Sequence, residues 1–446
     1  MVKYMTVSIE PDGEYKIMKK HISFIRNNVT ILVVAPIVGL LLMLLVHFLP
    51  TDTMRQNVYW SMDMIIPEFT DELVVEGYRS TLTGNFTDCL MLHHAIYSNE
   101  EHSSLEQVLH MYRSESYNVE GDPTGWEPGR SLFEYLNDIE QPREVEYGRY
   151  WHGYLVILKP LLLFTSFNTI RLLNGALQLI AAGFIVIGLT RKKAEPLAKA
   201  FLVSLPFMFF ISTFSSLSLS ICFYLMAVAL LAQLKWDEKL YKKNLYYVFF
   251  LMVGIATSYF DFLTYPLVTL AYPLCVYLYF HGGRLKEQLR KSFLFCMEWG
   301  IGYVGMWASK WLLCDLLSDS STIKDALDTI GTRTQSAQGG YGFGGFTEVL
   351  QVNIAPFMNR GYLVILFIVL LLAIIGIFRN GIMKSILKIR KTIPYLAIAI
   401  LPFIWYLATQ NHSVQHWQYT CRIIAITVFA GVTALQIITG QKETLK

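Results

Sequence analysis

Residues 29–49 read VTILVVAPIVGLLLMLLVHFL, an apolar run about 20 residues long. At 1.5 Å of rise per residue such a helix crosses roughly 30 Å, the thickness of a bilayer's hydrocarbon core. The 28 residues before it are largely polar and no small-residue cleavage site follows, so the run reads as an uncleaved first transmembrane helix, not a signal peptide. Lys19, Lys20 and Arg26 lie just before it and orient segment 1–28 to the cytoplasm.

The rest of the composition agrees with a membrane protein. The chain is 446 residues long with 54% hydrophobic and 16% charged residues, against about 25% charged in soluble domains. A formal charge of +3 gives no reason to expect nucleic acid as a partner. Six cysteines at 89, 222, 275, 296, 314 and 421 are scattered without CxxC or metal spacing and read as free, small apolar side chains. Further apolar runs at 168–190, 197–213, 217–234, 245–262, 264–280, 292–313, 361–378, 392–409 and 421–440 bring the expected total to ten.

The connectors sort by basic content. RKKAEPLAK (191–199), KWDEKLYKKN (235–244), GGRLKEQLRK (282–291) and RNGIMKSILKIRK (379–391) are rich in Lys and Arg, whereas TFSS (213–216), DFLT (261–264), the 314–360 loop and NHSVQHWQYT (411–420) are not. The strict alternation predicts an all-α polytopic protein with both termini cytoplasmic, the tail being 441–446, and with residues 168–440 forming a nine-helix region. The block at 50–167, the 314–360 loop and the 411–420 loop then share the outer side.

Within the outer block, apolar residues at 86, 90, 92 and 96 predict a short amphipathic helix lying in the interface, capped at Thr87 with Asp88 in its first turn. A second helix is expected at 103–113, a loop at GDPTGWEPG (121–129), and an interfacial or re-entrant piece from Trp151 to Phe167, interrupted at Lys159-Pro160. Five glycines within residues 339–345 predict a flexible loop of the kind that serves as a lid.

Chemistry is expected where charges gather at membrane boundaries. Asp261, Glu298, Lys310, Lys159, Arg171 and Arg422 are the charged residues within or beside the apolar runs, and Asp261, Lys159 and Arg422 fall near the outer edge. Tyr147-Gly-Arg149-Tyr150-Trp151-His152-Gly-Tyr154 and the stretch from Asn411 to Arg422, which holds His412, His416, Trp417 and Tyr419, combine rings that stack on sugars with cations that hold phosphate. Either group serves equally well as an interfacial aromatic belt. No GxSxG, Walker A, HExxH or zinc-spaced cluster occurs, and sequon triplets at Asn28, Asn85 and Asn411 are of a kind common by chance. General-base candidates in the outer block are Asp52, Asp63, Glu68, Asp71, Glu72 and Asp88. No cofactor is expected, and a divalent metal beside these carboxylates is left as an option.

This layout resembles the GT-C superfamily of integral-membrane glycosyltransferases. NFTDCLMLHHAIY, EYGRYWHGYLVILKPLL, SYFDFLTYPLVTLAYPL and NHSVQHWQYTCR are further similar to segments of multi-span envelope proteins of Gram-positive bacteria. The resemblance implies a cell-membrane enzyme that takes a sugar from a polyprenyl-phosphate (undecaprenyl-phosphate) donor at the outer face. The acceptor would be an envelope glycopolymer, such as a teichoic acid or other wall polysaccharide, or a glycolipid. It implies a loop aspartate as base in an inverting transfer: Asp88 first, then Asp71, then Asp52. Arg422, Arg149 and Lys159 would hold the donor phosphate, Trp151, His152 and His416 the sugar, and Asp261 a sugar hydroxyl or a cation. The acidic pair at the end of the first helix and the WWD-type motif of oligosaccharyltransferases are missing, which argues against protein N-glycosylation.

Two other classes are weighed beside it. A membrane acyltransferase calls for an early intramembrane histidine working with an arginine; His47, at the outer end of the first span, is the only such histidine, and Arg55 already lies outside. A transporter or assembly protein for lipid-linked sugars calls for polar residues at mid-bilayer and often internal repeats; no repeat is found, and the charges sit at the edge.

Overall fold

The fold is seen in a computed structural model of the 446-residue chain, which describes residues 11–62, 71–116, 128–139, 143–336 and 345–440, with side chains from residue 26 onward. Helix α1 (Pro11–His47) passes through the opening apolar run without a break at Pro36. A block of short elements follows: α2 (Thr51–Tyr59), α3 (Asn85–Ile96), α4 (Ser104–His110), strand β1 (Arg113–Glu115), α5 (Pro128–Leu136), strand β2 (Arg143–Val145) and α6 (Leu155–Phe164). The strands pair antiparallel, with Arg113 opposite Val145 and Glu115 opposite Arg143. With an isolated antiparallel bridge between Leu73 and Leu82, they depart from an all-α reading.

The remaining helices are α7 (Phe167–Arg191), α8 (Glu195–Ser204), α9 (Phe210–Ser215), α10 (Leu217–Lys242), α11 (Tyr246–Phe260), α12 (Leu267–Phe280), α13 (Leu285–Leu317), α14 (Thr322–Thr334), α15 (Phe346–Ile354), α16 (Arg360–Asn380), α17 (Ile382–Ala399), α18 (Leu401–Ala408), α19 (Gln410–Gln415), α20 (Trp417–Thr420) and α21 (Ile424–Thr439). Among the described residues six stretches are long and apolar enough to cross a membrane: 26–47, 167–191, 217–242, 360–380, 382–408 and 417–439. The other four apolar runs are helical but differ in kind. Residues 197–213 break around Pro206 into α8 and α9, while α11 and α12 have 15 and 14 residues, short of the roughly 20 for a straight crossing. Helix α13 has 33 residues and carries the buried Glu298 and Lys310.

Several local expectations are corrected. Helix α3 is not an interfacial amphipathic helix: every residue from Thr87 to Ile96 is buried, so both its apolar and its polar faces are enclosed. Its N-cap is Gly84 and not Thr87, whose hydroxyl instead meets that of Tyr419. The 103–113 helix ends at His110 because Met111 adopts φ 51°, a left-handed stop. Its start follows the sequence: Ser103 and Glu106 cap each other reciprocally, at 3.2 and 2.8 Å. Pro128 and Gly129, expected in a loop, open α5. Residues 314–360 hold α14 and α15, and residues 411–420 fold as α19 and α20. Of the glycine-rich stretch, residues 337–344 lie outside the described residues, as do Asp63, Glu68 and residues 121–127.

Two glycines bring the central helices together. A Cβ built on Gly254 of α11 would sit 2.1 Å from the Trp299 carbonyl oxygen of α13, and one on Gly302 would sit 2.2 Å from that of Leu251. The two backbones touch there, as small residues permit between apolar helices. The C-terminal end of α11 then receives the first block: Gly153 N–H donates to the Tyr259 carbonyl at 2.9 Å, and the Tyr259 hydroxyl donates to the Gly39 carbonyl of α1 at 2.9 Å. Gly302→Ala is therefore expected to destabilise the detergent-solubilised protein by about 1–3 kcal/mol through overpacking. Gly300→Ala, at a position facing open space, should be neutral or mildly stabilising. Thermal unfolding of the two variants side by side checks this.

Candidate functional site

The first block is fastened to the helices by carboxylates at helix starts. Asp88, buried on α3, accepts the Leu217 amide at 2.9 Å on one oxygen and the Ser218 amide at 2.8 Å on the other. Both belong to the first turn of α10, so Asp88 caps a helix 129 residues away in sequence. Burial pushes its carboxyl up to about 6, against the pull of Ser218, Arg171 and Leu217. Asp71 does the same for α3, accepting the Phe86 amide at 3.1 Å. Burial raises its carboxyl too, opposed by that amide and by the nearby Arg422. Asp52 lies exposed on α2, while Met54 and Val58 on the other side of that helix are buried.

The YGRYWHGY segment is seated by close backbone approach. At Gly153 a Cβ would stand 2.6 Å from the Tyr259 carbonyl oxygen, and Trp151 donates its indole N–H to the Met306 carbonyl at 2.6 Å. His152 adopts φ 54°. Its Nδ1 meets the Tyr154 hydroxyl and its Nε2 the Tyr147 carbonyl, both at 2.9 Å, and burial lowers its imidazole to about 3. Trp151 and His152 are thus structural anchors for what packs above them. Tyr147 stacks on His94 at 5.9 Å and 11°, and His152 lies 4.8 Å from the same ring.

His94 faces a cleft at the His47 end of α1. The cleft is partly open and is walled by Met43, Val46 and His47 of α1, His94 of α3, Val108 of α4, Leu155 and Lys159 of α6, and Tyr97, Gln107, Met111 and Tyr112. Neither ring nitrogen of His94 has a hydrogen-bond partner among the described residues. Burial first, then His152, Arg113 and His93, hold the imidazole well below its ordinary value, with a weak opposing pull from the Tyr112 backbone. Lys159 is buried, and among the described residues no carboxylate or hydrogen-bond acceptor meets its ammonium group. Nearby Lys310 is also buried without a carboxylate, donating to the Val108 carbonyl at 3.0 Å beneath the Trp151 ring. An unpaired buried ammonium costs several kcal/mol, and here it lies in the wall of a cleft that also carries apolar side chains.

The other expected cations stand apart from the cleft. Arg422 is enclosed, bonded to Ser212 Oγ at 2.7 Å and to the Gln418 carbonyl, with its guanidinium 5.1 Å over Phe209. Arg149 pairs with Asp325 of α14 at 2.8 Å and covers the Tyr147 ring. Asp261 accepts from the Thr264 amide and hydroxyl, closing the DFLT corner. His416 lies 4.9 Å from His412, and burial lowers its imidazole to about 4. Among the described residues no group of three or more His, Cys, Asp or Glu side chains is placed to hold a metal ion.

Of the residues assigned in advance to phosphate, only Lys159 lines the cleft. Sequence reasoning missed His94, although His93-His94 near a predicted helix end was a usable signal, and it missed Glu144, which β2 carries to the rim.

Replacing Asp88 by Ala leaves two amides of α10 unpartnered and is expected to lower stability by about 2–4 kcal/mol. The pH sign also follows. A carboxyl raised from 3.8 to about 6 in the folded state contributes stability that is full below pH 4 and is lost as pH rises through 6. Unfolding of Asp88→Asn should lack that component between pH 4 and 7. No family model, curated protein or solved structure matches the chain.

Proposed function

We propose that this chain is a polytopic membrane glycosyltransferase. It moves a sugar from a polyprenyl-phosphate donor to an envelope glycopolymer or glycolipid at the outer face, in the manner of the GT-C enzymes. The observation that supports this is the cleft at the end of α1, where Met43, Val46, Val108, Met111 and Leu155 give an apolar wall and Lys159 stands unpaired beside them. In this reading α11, α12, α13 and the broken 197–213 segment pack with the six long helices to make ten passes, both termini are cytoplasmic, and the His47 end of α1 is outside.

The division of labour follows from the contacts. Lys159, with His47 and His94 beside it, takes the donor phosphate, and Met43, Val46, Met111 and Leu155 take the first carbons of the prenyl chain. Charge that builds on the leaving phosphate oxygen in the transition state meets an ammonium already in place and shielded from water. Tyr97 and Tyr112 offer rings on which a sugar can stack. Arg149 and Arg422, bonded to Asp325, Ser212 and the Gln418 carbonyl, brace the surrounding helices. Asp88, with both oxygens on amides, serves the transfer by holding α3, and hence His94, in position.

The acyltransferase alternative asks for His47 and Arg55 together. His47 lines the cleft, but Arg55 donates to the Tyr135 carbonyl and pairs with Asp138, each at 2.6 Å, and is not part of the cleft wall.

Lys159→Gln is expected to weaken binding of undecaprenyl-phosphate-linked sugar by at least about tenfold, or about 1.4 kcal/mol. Its melting temperature should be unchanged or raised, because a buried unpaired charge is removed. Titration of the nanodisc-embedded protein with labelled donor checks this, and equal affinity in the variant would refute the phosphate role.

A further inference from the structure

Two imidazole–carboxylate pairs stack on Tyr112, a wall residue of the cleft. His110 lies 5.1 Å from its ring at 12°, and His102 lies 4.0 Å away at 14°. They are not equivalent. His110 has both nitrogens occupied, Nδ1 by Glu146 and Nε2 by Ser318 Oγ, each at 2.8 Å, so it braces the block against α13. His102 meets Glu144 through Nε2 at 2.6 Å, and its Nδ1 carries no hydrogen bond among the described residues.

Glu144 is held from several sides. It accepts from Asn99 Nδ2 at 3.0 Å and from the hydroxyl of Tyr97, another wall residue. Burial pushes its carboxyl up, but these donors together with His102 outweigh that and keep it below its ordinary value. A third wall residue, Gln107, donates to the backbone carbonyls of His102 and Asn99 at 3.0 and 2.8 Å. Three cleft residues thus fix this pair at the rim, and both partners keep about a quarter of their side-chain surface open to solvent. An imidazole oriented through one nitrogen by a fixed carboxylate, with the other nitrogen free and accessible, is the arrangement a general base requires.

We propose that His102, oriented by Glu144, is the general base that activates the acceptor hydroxyl at the mouth of the cleft. The assignment rests on the transferase reading. As the acceptor oxygen forms its bond to the sugar's anomeric carbon, the bond from that carbon to the donor phosphate breaks and its electron pair leaves on the phosphate oxygen beside Lys159. The hydroxyl proton passes to the free nitrogen of His102, and the imidazolium is stabilised by the Glu144 carboxylate. The products are the glycoside and the polyprenyl phosphate, and no further reactant is needed. Glu144 is a positioning residue in this scheme.

The test uses full-length protein in nanodiscs with a panel of undecaprenyl-phosphate-linked hexoses and pentoses, measuring donor binding and turnover separately. His102→Ala should lower kcat at least about 100-fold, with donor affinity within about twofold of wild type, and millimolar imidazole should restore part of the rate. Glu144→Gln should lower kcat by about tenfold with KM little changed, and Glu144→Asp should recover much of it. Wild-type turnover with equal turnover in His102→Ala overturns the base and leaves the transferase reading standing. A loss that imidazole does not relieve, or that comes with weaker donor binding, makes His102 a support for Tyr112 and also overturns the assignment. Wild-type protein that binds donor but transfers to no acceptor overturns both.

Discussion

One carboxylate joins the two halves of this protein. Asp88 sits on a helix of the first block, yet both of its oxygens are spent on the first two amides of α10, one of the two most enclosed of the long apolar helices. A helix that begins inside a protein must find partners for its first N–H groups, and here they come from a segment that the chain places far earlier. The same device recurs one step out, where Asp71 caps α3. The block is therefore fixed relative to the long helices by helix-end electrostatics as well as by apolar packing, and residues of α3 occupy defined positions.

That rigidity gives the unpaired cations their meaning. Lys159 and Lys310 lie buried with no carboxylate among the described residues, and the buried His94 lines a cleft with an apolar wall. A loose block would let such groups turn out to water. Anchored through Asp88, Gly153 and the Trp151 indole, they stay in place at a cost of several kcal/mol, which in the proposed function an anionic ligand would offset. Lipid phosphates match this combination: one compact anion attached to a long apolar chain.

The sequence was most informative about what depends on local pattern. The apolar run at 29–49 and the helices at 168–190, 217–234, 361–378, 392–409 and 421–440 are all readable from periodicity and length, and these six stretches are long and apolar enough to span. The pattern failed where tertiary enclosure overrode it. Residues 86–97 show polar positions between apolar ones, as an interfacial helix would, but the polar side chains are Asp88, His93 and His94, whose surroundings come from α10, β1 and the YGRYWHGY segment. Asp88 is the base that the resemblance implies, and the structure gives it the two bonds of a helix cap. Lys159 was singled out for phosphate and does line the cleft. The pairing of His102 with Glu144 had no local signature, because β1 and β2 bring together residues 42 apart.

Photolabelling by a prenyl phosphate tests the central claim most directly. A farnesyl phosphate carrying a diazirine near the phosphate end, added to the intact protein in nanodiscs and irradiated, should label peptides containing Met43, Met111 or Leu155. Excess undecaprenyl phosphate should suppress the label, and Lys159→Gln should reduce it by about tenfold. Label spread over the lipid-exposed faces of α1 and α16, indifferent to competitor and to Lys159, would contradict a lipid-phosphate site at the end of α1.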